Sequence, residues 1–191
     1  MRILAGICAA GKSSRMGFDK LSTPPNLQAP EPLLARTLSA VRGMDTLVAL
    51  PPLGSPYEPA RREAVGEAAQ IVHVEGTDFS DTLKALAQRA HGYNGLLVML
   101  ADMPFVTADH VSQLVDLFKT FDGQWIVRAT SEDLQDGHPV IIPASILPEI
   151  AQISGDHGAR DVVSRQAIKR LTLPSNAATW DVDTPQDWHR L

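Results

Sequence analysis

Cysteine occurs once in this sequence, at Cys8, so no internal disulfide can form and no cysteine-based zinc cluster can be built. Positive charge is also in short supply. Lysine and arginine total 17 against 22 aspartates and glutamates, a net charge of −5. Polyanion binding needs clustered cations, and Arg61-Arg62 and Lys169-Arg170 are isolated pairs, so nucleic acid is not an expected partner. No apolar run approaches the length of a membrane-spanning helix, which removes the membrane as well. The segment Arg2 to Ala10 imitates a short signal peptide, but Gly6 interrupts it and Ile7 stands where a lipoprotein signal wants a small residue. It reads better as a buried first strand, and with a lone reduced thiol the expectation is a cytoplasmic protein.

What is present is ordinary in bulk and informative in order. With 191 residues, 44% apolar and 20% charged, the chain suits one domain over 1–191 with a substantial core. Strand-like and helix-like runs alternate, the pattern of a mainly parallel α/β sheet. Strands are expected at Arg2–Cys8, Thr46–Leu50, Ile71–Val74, Leu96–Leu100, Trp125–Ala129, Val140–Ile142 and Ile168–Leu173, with Trp180–Val182 a further candidate. Between them lie a helix carrying Leu34, Leu38 and Val41, one from Pro59 through Ala69, one capped by Ser80, and one capped by Thr107.

The first strand runs into a small-residue loop with two readings. Gly6 to Ser13 reads G-I-C-A-A-G-K-S, a literal match to the P-loop pattern, and Leu97 to Asp102 imitates the strand that ends in a metal-binding aspartate. On that reading Lys12 reaches the β/γ-phosphates and Ser13 binds Mg²⁺, giving an ATP-dependent phosphotransferase. The interior Ile7-Cys8-Ala9-Ala10, however, looks like strand rather than a glycine-lined nest. Arg15-Met16-Gly17 and Lys20 then add two cations and a glycine that a P-loop does not require.

Ala9-Ala10-Gly11-Lys12-Ser13-Ser14-Arg15-Met16-Gly17-Phe18-Asp19-Lys20 resembles the signature A-A-G-x-S-x-R-M-G-x-x-K of nucleotidyltransferases that activate sugars and cofactors. Four further stretches follow in order: Ala101-Asp102-Met103-Pro104-Phe105-Val106, Gly137-His138-Pro139-Val140, Gly155 to Arg160, and Asp181-Val182-Asp183-Thr184-Pro185. Together they are similar to the molybdenum cofactor nucleotidyltransferase family, across essentially the whole chain. The resemblance implies a Rossmann-like three-layer α/β sandwich with a mainly parallel sheet, like the nucleotide-diphospho-sugar transferases. It implies Mg²⁺-dependent transfer of CMP, less readily GMP, from the NTP to molybdopterin, with pyrophosphate released. A molybdoenzyme is the candidate delivery partner.

The chemistry agrees with those residue types. Two anions must approach each other, so the site must neutralise the triphosphate and the charge that develops. Ala9, Ala10, Gly11, Ser13, Ser14 and Gly17 are the expected phosphate loop, with Arg15 and Lys20 as the catalytic cations. Asp102, at the end of the expected central strand, and by resemblance Asp183, are the metal ligands. By resemblance Ser80 and Thr82 contact base and ribose, and Ala10, where guanylyltransferases usually carry glycine, favours CTP over GTP by narrowing the pocket. The stretch 74–79 departs from the family pattern and leaves base and acceptor identity open.

Other residues keep two readings. Gly137 and His138 either meet the acceptor or pack structurally, and Asp156 and Arg160 either bind acceptor or pair with each other. Asp181 suits local hydrogen bonds, and Cys8 an inert buried thiol. A non-catalytic nucleotide-binding member of the fold is the remaining alternative.

Overall fold

A computed structural model describes residues 1–13, 15–26, 30–76, 78–153 and 155–191. Strands β1 (Ile3–Cys8), β2 (Asp45–Leu50), β3 (Gln70–His73), β4 (Gly95–Leu100), β5 (Ile126–Thr130), β6 (Asp136–Pro143) and β7 (Ile168–Thr172) join one sheet, ordered β3-β2-β1-β4-β6-β5-β7. Among the described residues only β6 runs against its neighbours, pairing antiparallel with both β4 and β5. The helices are α1 (Leu33–Ala40), α2 (Glu58–Val65), α3 (Phe79–Arg89), α4 (Ala108–Thr120), α5 (Leu147–Ile150), α6 (Gly155–Ser164) and α7 (Pro185–Trp188).

Strand alternation builds the three layers. Successive side chains point to opposite faces, so Ile3, Ala5 and Ile7 of β1 and Leu97 and Met99 of β4 enter one core. That core takes Leu33 and Leu34 from α1, Val65 from α2, and Val111, Leu114 and Phe118 from α4. Leu4, Leu96 and Val98 enter the other core, against Leu83 and Leu86 of α3, Leu147 and Ile150 of α5, and Val162 of α6. Each fully buried Leu or Ile contributes about 1.5–3 kcal/mol relative to exposure. Because both faces are covered, the central strands are apolar throughout, as the sequence of β4 suggests.

The strand order fixes where a ligand can sit. From β1 the chain winds to β2 and β3 on one side, whereas β4 lies on the other, so the sheet switches direction between β1 and β4. Ligands of open α/β sheets bind outside the strand ends at such a point. Cys8 and Leu100 are register partners there, and the Ala101 N–H donates to the Cys8 carbonyl at 3.2 Å. The loops carrying residues 9–20 and Asp102 therefore start side by side.

Four sequence expectations are corrected. Strand β6 starts at Asp136, four residues before Val140, and is antiparallel. Trp180–Val182 forms no strand; its Val182 N–H instead makes a single bond to the Asp102 carbonyl, 3.0 Å. Helix α2 stops at Val65 rather than Ala69, because Gly66 turns out at φ +52°. The N-cap of α3 is Asp78 rather than Ser80; Asp81 accepts from the Asp78 N–H, and Ser80 lies buried in the first turn. Thr107 caps α4 as expected. Among the described residues no helix is long and apolar enough to cross a membrane.

Candidate active site

At the β1/β4 switch point a cavity of about 290 Å³ opens, walled by Gly11, Lys12, Ser13, Arg15, Lys20, Asp102 and Asp183 among others. Six residues expected to act on phosphate or metal thus meet in one place. Lys20 is the hub. Its buried ammonium donates to Asp102 Oδ2 (2.6 Å), to the Val182 carbonyl (2.6 Å) and to Asp183 Oδ1 (3.2 Å), using all three donors. Arg15 NH1 donates to Asp183 Oδ2 at 2.5 Å from an exposed position at the mouth. Lys12, also exposed, lines the cavity, but no ion pair engages it among the described residues.

Among the described residues the P-loop geometry is absent. A P-loop delivers its lysine and serine into the first turn of a helix. Among the described residues no helix follows β1 before α1, and the first glycine of that pattern, Gly6, is inside β1 against Leu86 and Leu96. Gly17 instead supplies the turn, at φ +74°.

Three carboxylates converge beside Lys20. One oxygen from each of Asp102, Asp181 and Asp183 lies within 4.8 Å of the others, a hard-donor set that fits a divalent cation. Burial raises the Asp181 pKa, helped by the charges of Asp183 and Asp102. Asp181, read from sequence as a local hydrogen-bonding residue, therefore belongs with the metal candidates. Cys8 stands on the cavity wall, its thiol pushed up to about 12 by burial and by the Asp102 carboxylate, so it is no nucleophile.

The segment bearing Asp181 and Asp183 is anchored from below. The His138 N–H donates to the Ala178 carbonyl at 2.8 Å. A Cβ at Gly137 would stand 1.8 Å from that same carbonyl oxygen, so only glycine allows the approach. The structure thus places Gly137, buried, under the segment that carries Asp181 and Asp183. His138 packs its ring edge-on to Phe79 at 6.0 Å, with Nδ1 enclosed and unpartnered among the described residues. Its pKa falls to about 4 through burial and the nearby Arg128 charge, opposed by the Val98 backbone.

Other expected residues are dispersed. Ala9 is fully buried and Ala10 half-buried, so their backbone rather than their side chains can serve phosphate. Ser80 and Thr82 are buried in α3, and neither borders the cavity. Arg160 is exposed on α6. Ser14 and the side chain of Asp156 lie outside the described residues.

Two residues went unnoticed in the sequence. Arg61 of α2 is fully buried beneath the loop and pairs with buried Asp19 at 2.6 Å. It also donates to the carbonyls of Ala9 and Gly11. The available signal was the inward face of α2, where Glu58 and Arg61 share the buried side with Val65.

A family model described as the MobA-like NTP transferase domain matches residues 5–171. The purine catabolism protein PucB of Bacillus subtilis is 25% identical over 193 residues, covering 94% of this chain and 91% of PucB. The crystal structure of Rv0371c from Mycobacterium tuberculosis superposes with TM-score 0.80 at 25% identity, covering 100% of this chain and 97% of that one. The same protein in complex with manganese gives TM-score 0.77 at 24% identity, covering 100% and 98%. A CMP:2-keto-3-deoxy-manno-octonic acid synthetase complexed with CTP shares the fold, with TM-score 0.73 at 12% identity and coverage of 100% and 96%.

Proposed function

We propose that this chain, which belongs to the MobA-like NTP transferase family, transfers a cytidylyl group from CTP to molybdopterin and releases pyrophosphate. One observation carries the reading. Lys20 gathers Asp102 and Asp183 beside a small-residue loop, where an anion, a divalent cation and a second anion can be accommodated together.

In the transfer, an oxygen of the acceptor phosphate attacks the α-phosphorus of the nucleotide. The bond from that phosphorus to its bridging oxygen breaks, and pyrophosphate leaves with the electron pair. A phosphate monoester is already anionic at neutral pH, so the attacking oxygen needs no general base. What the protein supplies is neutralisation and alignment. Arg15, exposed at the mouth, offers a planar fork suited to phosphate oxygens. Ala9, Ala10, Gly11, Ser13, Ser14 and Gly17 are assigned to the phosphates, which the backbone N–H groups of this loop would hold. Lys20 fixes the carboxylates side by side. Asp102 and Asp183, with Asp181 next to them, would hold Mg²⁺, which supplies phosphate charge neutralisation and a fixed template. The manganese complex of Rv0371c supports a divalent ion of this kind.

The choice of CTP rests on the Ala10 methyl, which narrows the approach to the base where a glycine would admit guanine. Ser80 and Thr82, at the start of α3, are assigned to base and ribose. His138, Gly137, Asp156 and Arg160 are assigned to the acceptor side, and a molybdoenzyme receives the product. The test is a panel of four NTPs with Mg²⁺ or Mn²⁺ and molybdopterin, following pyrophosphate release and product mass. CTP with molybdopterin should give the dinucleotide. Turnover with a sugar phosphate alone would overturn the acceptor and leave the reaction class standing.

A further inference from the structure

Arg61 lies outside every motif that points to the reaction, yet all five of its N–H donors are spent on the phosphate loop and one carboxylate. NH1 donates to the carbonyls of Ala9 (2.6 Å) and Gly11 (2.7 Å). NH2 donates to Ser13 Oγ (3.2 Å) and Asp19 Oδ1 (2.6 Å), and Nε–H is shared between the two Asp19 oxygens at 3.1 and 3.0 Å. The guanidinium is fully buried, and Asp19 neutralises it. Its charge is therefore already compensated, and its service to a ligand has to pass through the loop it holds.

A trans peptide points its C=O and the following N–H in opposite directions. Drawing the Ala9 and Gly11 carbonyls down onto Arg61 therefore turns the N–H groups of Ala10 and Lys12 up, away from the guanidinium. Neither amide has a hydrogen-bond partner within the chain among the described residues. Gly11 and Lys12 line the cavity. A carbonyl turned the other way would present partial negative charge to a triphosphate, and at Gly11 there is no side chain to resist that rotation.

We infer that Arg61 is a positioning residue for the nucleotide's phosphates: it sets the peptide orientation of the loop so that the Ala10 and Lys12 amides face the anion, without touching it. This rests on the nucleotidyltransferase reading above. Ser13, at φ +48°, is held in the same arrangement by its bond to NH2. Asp19 is the partner that lets a buried cation exist there.

The experiment pairs a variant with a direct readout. Arg61→Lys keeps the charge opposite Asp19 but, with three donors on one nitrogen, cannot hold the Ala9 and Gly11 carbonyls, Ser13 Oγ and both Asp19 oxygens together. Its KM and Kd for CTP should rise about ten- to a hundredfold, the loss expected when charge-assisted hydrogen bonds are removed, while the KM for the acceptor stays near the wild-type value. Thermal melting reports whether the variant is folded. In the wild-type protein, titration with inorganic tripolyphosphate should shift the NMR amide resonances of Ala10 and Lys12, a result that does not depend on any variant. Folded Arg61→Lys binding CTP as the wild type does, or unmoved Ala10 and Lys12 amides at saturation, would overturn the inference while the function stands. A wild-type protein that binds no nucleotide and no tripolyphosphate would remove the underlying reading, and this inference with it.

Discussion

The Lys20 ammonium meets Asp102 Oδ2 at 2.6 Å across 82 residues of sequence, and the same nitrogen reaches Asp183 from a third segment. A single buried cation therefore holds together the loop after β1, the end of β4 and the strand-less stretch before α7. Removing it leaves Asp102 without a cation and Asp183 with the exposed Arg15 alone. Lys20→Ala is expected to lower kcat by at least about a hundredfold, the scale on which a preorganised electrostatic group matters. Lys12→Ala, which breaks no ion pair among the described residues, should change kcat by no more than about threefold. Steady-state pyrophosphate release for the two variants checks the ordering, and the reverse ordering would revive the phosphotransferase reading.

The carboxylate group makes a separate prediction about metal. Asp102→Asn and Asp183→Asn should each weaken Mn²⁺ binding by about tenfold or more, because each deletes a charged oxygen ligand. Asp181 holds its proton to higher pH than an ordinary aspartate, through burial and the charges of Asp183 and Asp102. Mn²⁺ affinity should accordingly begin to fall, on acidification, above the usual carboxylate range. Asp181→Asn should move that onset down toward the ordinary range. Calorimetric titration of Mn²⁺ across pH, with chelator-treated protein as the starting point, reads both effects.

The parts of this site that were legible in sequence are those carried by short contiguous patterns. Ala9 to Lys20 and Asp181 to Pro185 announce themselves because the chemistry needs those residue types close together along the chain. Arg61 did not, because its partners are backbone carbonyls some 50 positions away, and a carbonyl has no sequence identity. The start of strand β6 was missed for a related reason, although Val140–Ile142 lies within it. Pro139 argues against strand structure, but it is accommodated here among Gly137, His138 and Val140, and strand direction leaves no mark on a short apolar run. The Ser80 cap was displaced by two residues because Asp78 and Asp81, on either side of it, form the same kind of local arrangement.

Gly137 couples stability to the metal segment. A methyl group there cannot avoid the Ala178 carbonyl, which is backbone and has no rotamer to escape into. Gly137→Ala should cost at least about 3 kcal/mol, or a melting temperature lower by roughly 6–12 °C for a chain of this size. Because the displaced segment continues to Asp183, Mn²⁺ binding should weaken along with it, even though Gly137 offers no ligand. Melting curves and Mn²⁺ titration of the same sample test the two together. A stable variant with intact metal binding would show that the segment can shift without consequence.

His138 predicts a pH dependence of stability with a definite sign. Its folded pKa of about 4 lies below the ordinary 6.5, lowered by burial and the Arg128 charge. Between those values the unfolded chain takes up a proton that the native ring refuses. Stability from this group is therefore complete above pH 6.5 and is lost as pH falls through 4, by up to roughly 3 kcal/mol. His138→Gln, which cannot titrate, should remove that part of the slope. Denaturant unfolding of both proteins at pH 7.5 and 4.5 isolates it, since the carboxylates contribute equally to each.

Cys8 offers the simplest test of the electrostatics at the cavity wall. With its pKa pushed up to about 12 by burial and by Asp102, only a trace of thiolate exists near neutrality. Alkylation proceeds through the thiolate, so iodoacetamide at pH 8 should modify native Cys8 on the order of a thousandfold more slowly than an ordinary cysteine thiol. Asp102→Asn removes the repelling charge and should accelerate the reaction, but only in part, because burial is the larger cause. Full acceleration in that variant would make the carboxylate, rather than burial, the origin of the inert thiol. Mass spectrometry of the intact chain over time distinguishes these outcomes, with the denatured protein giving the unprotected rate.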